Sequence, residues 1–99
     1  MFGFTGVHEQ RVRQTANRMM QLLRDAATGD YADLPIIALD ATPAAVLRVS
    51  GKYRYKMLLK GRNTKRMRDM IRQLLQSINK EPTARGVSVY VDINPASVL

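Results

Sequence analysis

From Val7 to about Ala27 the apolar residues Val12, Ala16, Met19, Met20, Leu23 and Ala27 recur every three or four positions, with Arg11, Gln14, Arg18, Gln21 and Asp25 between them. That spacing predicts an amphipathic helix. Thr28-Gly29-Asp30 should end it, with the glycine in a left-handed C-terminal conformation and a polar connection running on through Asp33. The short apolar run Pro35 to Leu39 is broken at Asp40 to Pro43. An extended pattern resumes from Ala44 to Val49 and closes at the turn Ser50-Gly51. Tyr53, Tyr55, Met57 and Leu59 then alternate with Lys52, Arg54, Lys56, Leu58 and Lys60, a period of two that predicts a half-buried antiparallel strand.

Gly61-Arg62-Asn63-Thr64 supplies turn and N-cap chemistry, after which Met67, Met70, Ile71, Leu74, Leu75 and Ile78 keep helical spacing to about Asn79. Val87, Val89, Val91 and Ile93 alternate with Ser88, Tyr90 and Asp92 until Asn94-Pro95 stops the ladder. The opening Met1-Phe2-Gly3-Phe4-Thr5 reads as a strand already under way, so a segment of a longer chain is expected. The resulting order, βαββαβ, is that of an α+β, ferredoxin-like split βαβ domain. Both helices should cover one face of an antiparallel sheet and leave the other open. With 99 residues the chain fits a single domain spanning residues 1–99, without internal repeat or linker.

Charge gives this plan a direction. Sixteen Lys and Arg stand against eight Asp and Glu, a net +8 that points to a polyanionic partner. The excess is local. Residues 1–45 carry four arginines against five carboxylates, whereas Arg48, Lys52, Arg54, Lys56, Lys60, Arg62, Lys65, Arg66, Arg68 and Arg72 are opposed within their own stretch by Asp69 alone. Lys65, Arg66 and Arg68 fall in the first turns of the second helix, where the macrodipole is already positive. Tolerating cations there suggests a bound anion, a phosphate or carboxylate for which backbone amides near Asn63 and Thr64 would be further donors. If Tyr53 and Tyr55 face the helices, Arg48, Arg54, Lys56 and Lys60 share the open sheet face with Tyr90, a surface that can track phosphates and stack a base.

Each of these readings has a plainer alternative. A basic run on exposed strands can be a solvated face, the tyrosines can be core, and Met19, Met20, Met67 and Met70 can pack between helices and sheet rather than form a peptide groove. His8 beside Glu9 reads as a surface residue at a helix start. With no cysteine and one histidine, disulfides, thiolate catalysis, iron–sulfur clusters and clustered-His metal sites are excluded. Gly51-Lys52 lacks the rest of a phosphate loop, and Asp92 has no acid, base or metal partner. Neither a membrane span nor a secretory leader is legible. The chain is expected to bind rather than catalyse, with no cofactor of its own.

Three stretches carry a family resemblance: Thr42-Pro43-Ala44-Ala45-Val46-Leu47-Arg48-Val49; Gly51-Lys52-Tyr53-Arg54-Tyr55-Lys56-Met57-Leu58-Leu59-Lys60; and Val89-Tyr90-Val91-Asp92-Ile93-Asn94-Pro95. Together with Phe2 to Ala27 they resemble, over almost the whole chain, the C-terminal domain of the primosomal protein N′ (PriA) family. The chain departs from the family pattern at Asp40-Ala41, where Gly-Pro is usual, and at Asn94, where a second Asp is usual.

The resemblance implies a parent ATP-dependent 3′-5′ DNA helicase that assembles the primosome and restarts stalled replication forks in the cytoplasm, associated with the nucleoid. ATP, Mg and Zn would belong to the parent's other domains, and the helicase lobes would be partners of this one. The end domain in the family is similar to a small-subunit ribosomal protein and helps bind single-stranded or branched DNA. Arg48, Arg54, Lys56, Lys60, Arg62, Lys65, Arg66, Arg68 and Tyr90 are therefore the expected nucleic-acid contacts. Some members also use a basic residue and, one turn later, a glutamine to capture the acidic tail of single-stranded DNA-binding protein. Those two positions fall here on Thr64 and Arg68, so Thr64, Lys65 and Arg68 form the expected tail site in altered form. A ribosomal-type RNA binder of the same fold is the remaining alternative.

Overall fold

A computed structural model of the chain describes residues 1–92, with Ala45, Val46 and Leu47 described as backbone only. The elements follow as β1 (Phe2–Gly6), α1 (Glu9–Thr28), β2 (Ile37–Ala38), β3 (Thr42–Val49), β4 (Lys52–Met57), β5 (Leu59–Lys60), α2 (Lys65–Asn79), a 3₁₀ turn (Pro82–Ala84) and β6 (Ser88–Val91). Ile93 and the stop expected at Asn94-Pro95 lie outside the described residues.

The main sheet has the order β3-β4-β1-β6 with every neighbouring pair antiparallel. Hence β1 and β3 run parallel with β4 inserted between them, and β4 and β6 run parallel with β1 between them. These are the two interleaved units of a split βαβ fold, as the hydropathy pattern predicts. The apolar run from Pro35 departs from expectation. It contributes β2, which leaves the main sheet and pairs with β5 in a separate two-stranded ladder, Ile37 opposite Lys60 and Ala38 opposite Leu59.

The core lies between the sheet and the two helices. Phe2, Phe4, Tyr55 and Met57 from the strands meet Val12, Ala16, Met19, Met20 and Leu23 of α1 and Met67, Met70, Leu74 and Ile78 of α2, all buried. The four helical methionines Met19, Met20, Met67 and Met70 are core, as is Met57 of β4, where a flexible thioether fills irregular gaps between two helices and a twisted sheet. Thr15, also buried, places its hydroxyl 2.8 Å from the Arg11 carbonyl and 3.0 Å from the Thr83 carbonyl, tying α1 to the 3₁₀ turn.

Helix ends follow the expected chemistry in one case and depart from it in the other. Thr64 caps α2, its hydroxyl accepting from the Met67 amide at 3.1 Å. At the end of α1, Gly29 has φ −117° and ψ −114° rather than a left-handed conformation. The helix is closed instead by the Gly29 and Tyr31 amides, which both donate to the Ala26 carbonyl. At Ser50-Gly51 both residues have positive φ, 52° and 77°, which suits the tight turn joining β3 to β4.

Candidate functional site

Register assigns each strand residue to a face, because directly paired residues point the same way. Met57, Tyr55 and Tyr53 of β4 pair with Phe2, Phe4 and Gly6 of β1, and Phe2 and Phe4 pair with Val91 and Val89 of β6, so all of these look toward the helices. Lys56, Gly3 and Tyr90 form one row across β4, β1 and β6 on the open side. Arg54, Thr5 and Ser88 form the next. Tyr53 and Tyr55 therefore face the helices as the sequence suggests, with Tyr55 buried and Tyr53 half-buried. Burial pushes the Tyr55 phenol pKa up, and the Glu9 carboxylate 3.5 Å from its oxygen adds to the effect.

Arg48 is placed differently from the sequence expectation. From Pro43 to Arg48 β3 advances five residues while β4 advances two, from Tyr55 to Tyr53. The excess is odd, so it reverses the side of β3 that faces each way. Arg48 ends on the Tyr53 side, its guanidinium 5.3 Å from the centre of that ring, and is separated from Arg54 and Lys56 by the thickness of the sheet. Lys60 also leaves the expected group, because β4 ends at Met57 and Lys60 belongs to the two-stranded ladder opposite Ile37.

The N-terminal end of α2 brings Lys65, Arg66 and Arg68 together with Arg62 on the preceding turn, but it does not leave them equally free. Arg66 makes a two-point contact with Asp33, Nε to Oδ2 at 3.2 Å and Nη2 to Oδ1 at 2.7 Å. Its Nη2 also donates to the Asp30 carbonyl, and the guanidinium lies 4.6 Å from the centre of the buried Tyr31 ring. The hydrogen bond from Arg66 holds the Asp33 carboxyl below the usual carboxylate range, and Asp33 in turn raises Arg66. The chain's own Asp33 thus meets the charge of Arg66 where the sequence suggests a bound anion, and Arg66 is a clasp between α2 and the α1–β2 connection.

Arg68 folds back onto Asn63, donating from Nη1 to the side-chain oxygen at 3.1 Å and to the carbonyl at 3.3 Å. Arg72 lies 3.8 Å from Asp69. The Thr64 amide is occupied by the Arg62 carbonyl, and its hydroxyl by the cap. Among the described residues, Arg54, Lys56, Lys60, Arg62 and Lys65 make no ion pair with a carboxylate.

Two features of the site were missed in the sequence. Tyr31 and Asp33 sit in what reads as a polar connection, although a lone aromatic between Asp30 and Asp33 is a signal that something packs there. Gly3 lies directly under Tyr90: a Cβ added at Gly3 would overlap the distal end of the Tyr90 ring. Among the described residues no three His, Cys, Asp or Glu side chains are grouped so as to hold a metal ion, and no helix is long and apolar enough to cross a membrane.

Fold and site together define a small α+β domain whose sheet is packed on one face and open, basic and aromatic-bearing on the other. The chain belongs to the primosomal protein N C-terminal domain family, whose model matches residues 1–96. That family places it in PriA-type primosome assembly and hence in DNA replication. No curated protein matches the chain significantly.

Proposed function

We propose that this domain is a DNA-contacting end domain of a PriA-type replication-restart helicase, binding single-stranded or branched DNA through the open face of its sheet. The observation that carries this reading is that Arg54 and Lys56 project from that face with no carboxylate partner among the described residues, beside an exposed Tyr90. Arg62 and Lys65, exposed at the turn into α2, extend the basic surface. Helicase activity, with ATP, Mg and Zn, belongs in this reading to other parts of a parent protein. So do the helicase lobes against which the domain would dock, in a nucleoid-associated setting.

Arg66 is removed from the contact set, since its charge is met by Asp33, and Arg48 lies on the other side of the sheet. Tail capture from single-stranded DNA-binding protein is supported less well. Of its three residues Thr64 is committed to the helix cap and Arg68 to Asn63, which leaves Lys65.

Fluorescence anisotropy of a labelled single-stranded oligonucleotide and a forked duplex, titrated at two salt concentrations, tests the proposal. Neutralising about four to six phosphates of a single strand gives a slope of log K against log salt of roughly −3 to −4. Binding that is absent at low salt, or insensitive to salt, overturns it. Tighter binding of structured RNA than of DNA at equal salt would favour the RNA reading instead.

A further inference from the structure

We infer that the row Lys56, Gly3 and Tyr90 is a stacking platform for an unpaired base, so that the open face selects single-stranded over duplex DNA. This rests on the DNA-contact reading above and adds to it a base-level contact. Side chains in a strand ordinarily stand away from the sheet. Tyr90 leans across it: the far end of its ring, including the hydroxyl, occupies the space above Gly3 of the neighbouring strand that any Cβ would fill. Glycine at position 3 is what permits this, because a side chain there would lift the ring.

The far end of the ring is spent on covering Gly3 of β1, and Tyr90 nevertheless stays 41% exposed. The exposed part of the ring is therefore left for a base. Beyond it, two strand spacings from β6 or about 10 Å away, stand Lys56 and, in the next row, Arg54. An aromatic surface with cations one nucleotide's reach to the side matches the geometry of a single strand, whose bases splay to one side of a phosphate backbone. A duplex presents its phosphates but keeps its base faces stacked inside, and would use only the cations.

Asp92 sets the limit of the platform. Its amide donates to the Met1 carbonyl at 2.8 Å, which continues the β1–β6 ladder by one pair, and alternation puts its side chain on the Tyr90 side. The phosphate path accordingly leads away from Asp92, toward Arg54, Thr5 and Ser88. Covering a glycine with a ring also stabilises a sheet in its own right, so the test must separate cover from stacking.

The intact chain is titrated with a short oligothymidylate, an abasic strand of the same length, and the matching duplex, together with the variants Tyr90→Leu, Tyr90→Phe and Arg54→Glu/Lys56→Glu. Leucine keeps an apolar cover on Gly3 but cannot stack, and circular dichroism checks that each variant is folded. The platform predicts that oligothymidylate binds roughly 5- to 100-fold more tightly than the abasic strand. Tyr90→Leu should abolish that preference, and Tyr90→Phe should keep it. Equal binding of base-bearing and abasic strands, duplex binding as tight as single-strand binding, or a Tyr90→Leu protein that behaves as wild type overturns the platform while leaving the phosphate contacts standing. Affinity for every probe that ignores Arg54→Glu/Lys56→Glu overturns the underlying reading as well.

Discussion

The open sheet face, with Arg54 and Lys56, and the N-terminal end of α2, with Arg62, Lys65, Arg66 and Arg68, follow one another in sequence, yet they handle charge differently. On the sheet, Arg54 and Lys56 make no ion pair with a carboxylate among the described residues. At the helix end, Arg66 is gripped by Asp33, the Asp30 carbonyl and the Tyr31 ring, and Arg68 by Asn63. For Arg66, whose charge is met by Asp33, a phosphate would have to compete with a charge-assisted pair already in place. Cations without internal partners keep both their field and their donors for a ligand. The difference teaches that the cations of this stretch are not one population: Arg54 and Lys56 are directed outward, whereas Arg66 holds the fold.

Reversing charge on the sheet is expected to have the largest effect on binding. Arg54→Glu/Lys56→Glu should weaken single-strand affinity at low salt by about tenfold or more and leave the thermal midpoint nearly unchanged, as read by anisotropy and by a melt. Arg66→Glu should show the opposite pattern. It sets two carboxylates face to face and strips the cation from Tyr31, so the midpoint should fall by roughly several degrees while affinity of the folded protein stays within about twofold. Equal affinity losses for the two variants would erase the distinction between the regions.

Smaller effects sharpen the comparison. Removing one outward charge, by Arg54→Gln or Lys65→Gln, should flatten the salt slope by about 0.7 if that residue meets one phosphate of a single strand, whereas Arg66→Gln should leave the slope unchanged. The smallest effect is on pH dependence. Asp33 has a folded pKa below its unfolded value because Arg66 hydrogen-bonds the ionised form. Its contribution is therefore present above the ordinary aspartate range and lost as pH falls through the lowered folded value. Asp33→Asn should lower the midpoint slightly at neutral pH and make the acid limb of the stability curve shallower. An unaltered curve would show that the Arg66 clasp is held by the Tyr31 ring and the Asp30 carbonyl alone.

Much of the architecture was legible because it depends on local periodicity. The three- and four-residue spacing of Val12 to Leu23 and of Met67 to Ile78 can place apolar side chains on one side only as helices, and the alternation at Tyr53-Tyr55-Met57 can do so only as a strand. Arg54, Lys56 and Tyr90 were assigned to the open face by the same alternation. It failed at Arg48 because the bulge in β3 has no signature in a run of small and branched apolar residues, and an odd offset turns the strand over. It failed at Lys60 because β4 ends before β5 begins, so parity does not carry across Leu58.

The sequence by itself determined the split βαβ order, the apolar faces of the two helices and of β4, the local excess of positive charge and the family, each a property of neighbouring residues or of a linear motif. Only the tertiary structure decided which cations are free. Asp33 reaches Arg66 across thirty-three positions, and Gly3 lies under Tyr90 across eighty-seven. Contacts at such separations are made when the sheet and helices close on one another, and no periodicity along the chain records them.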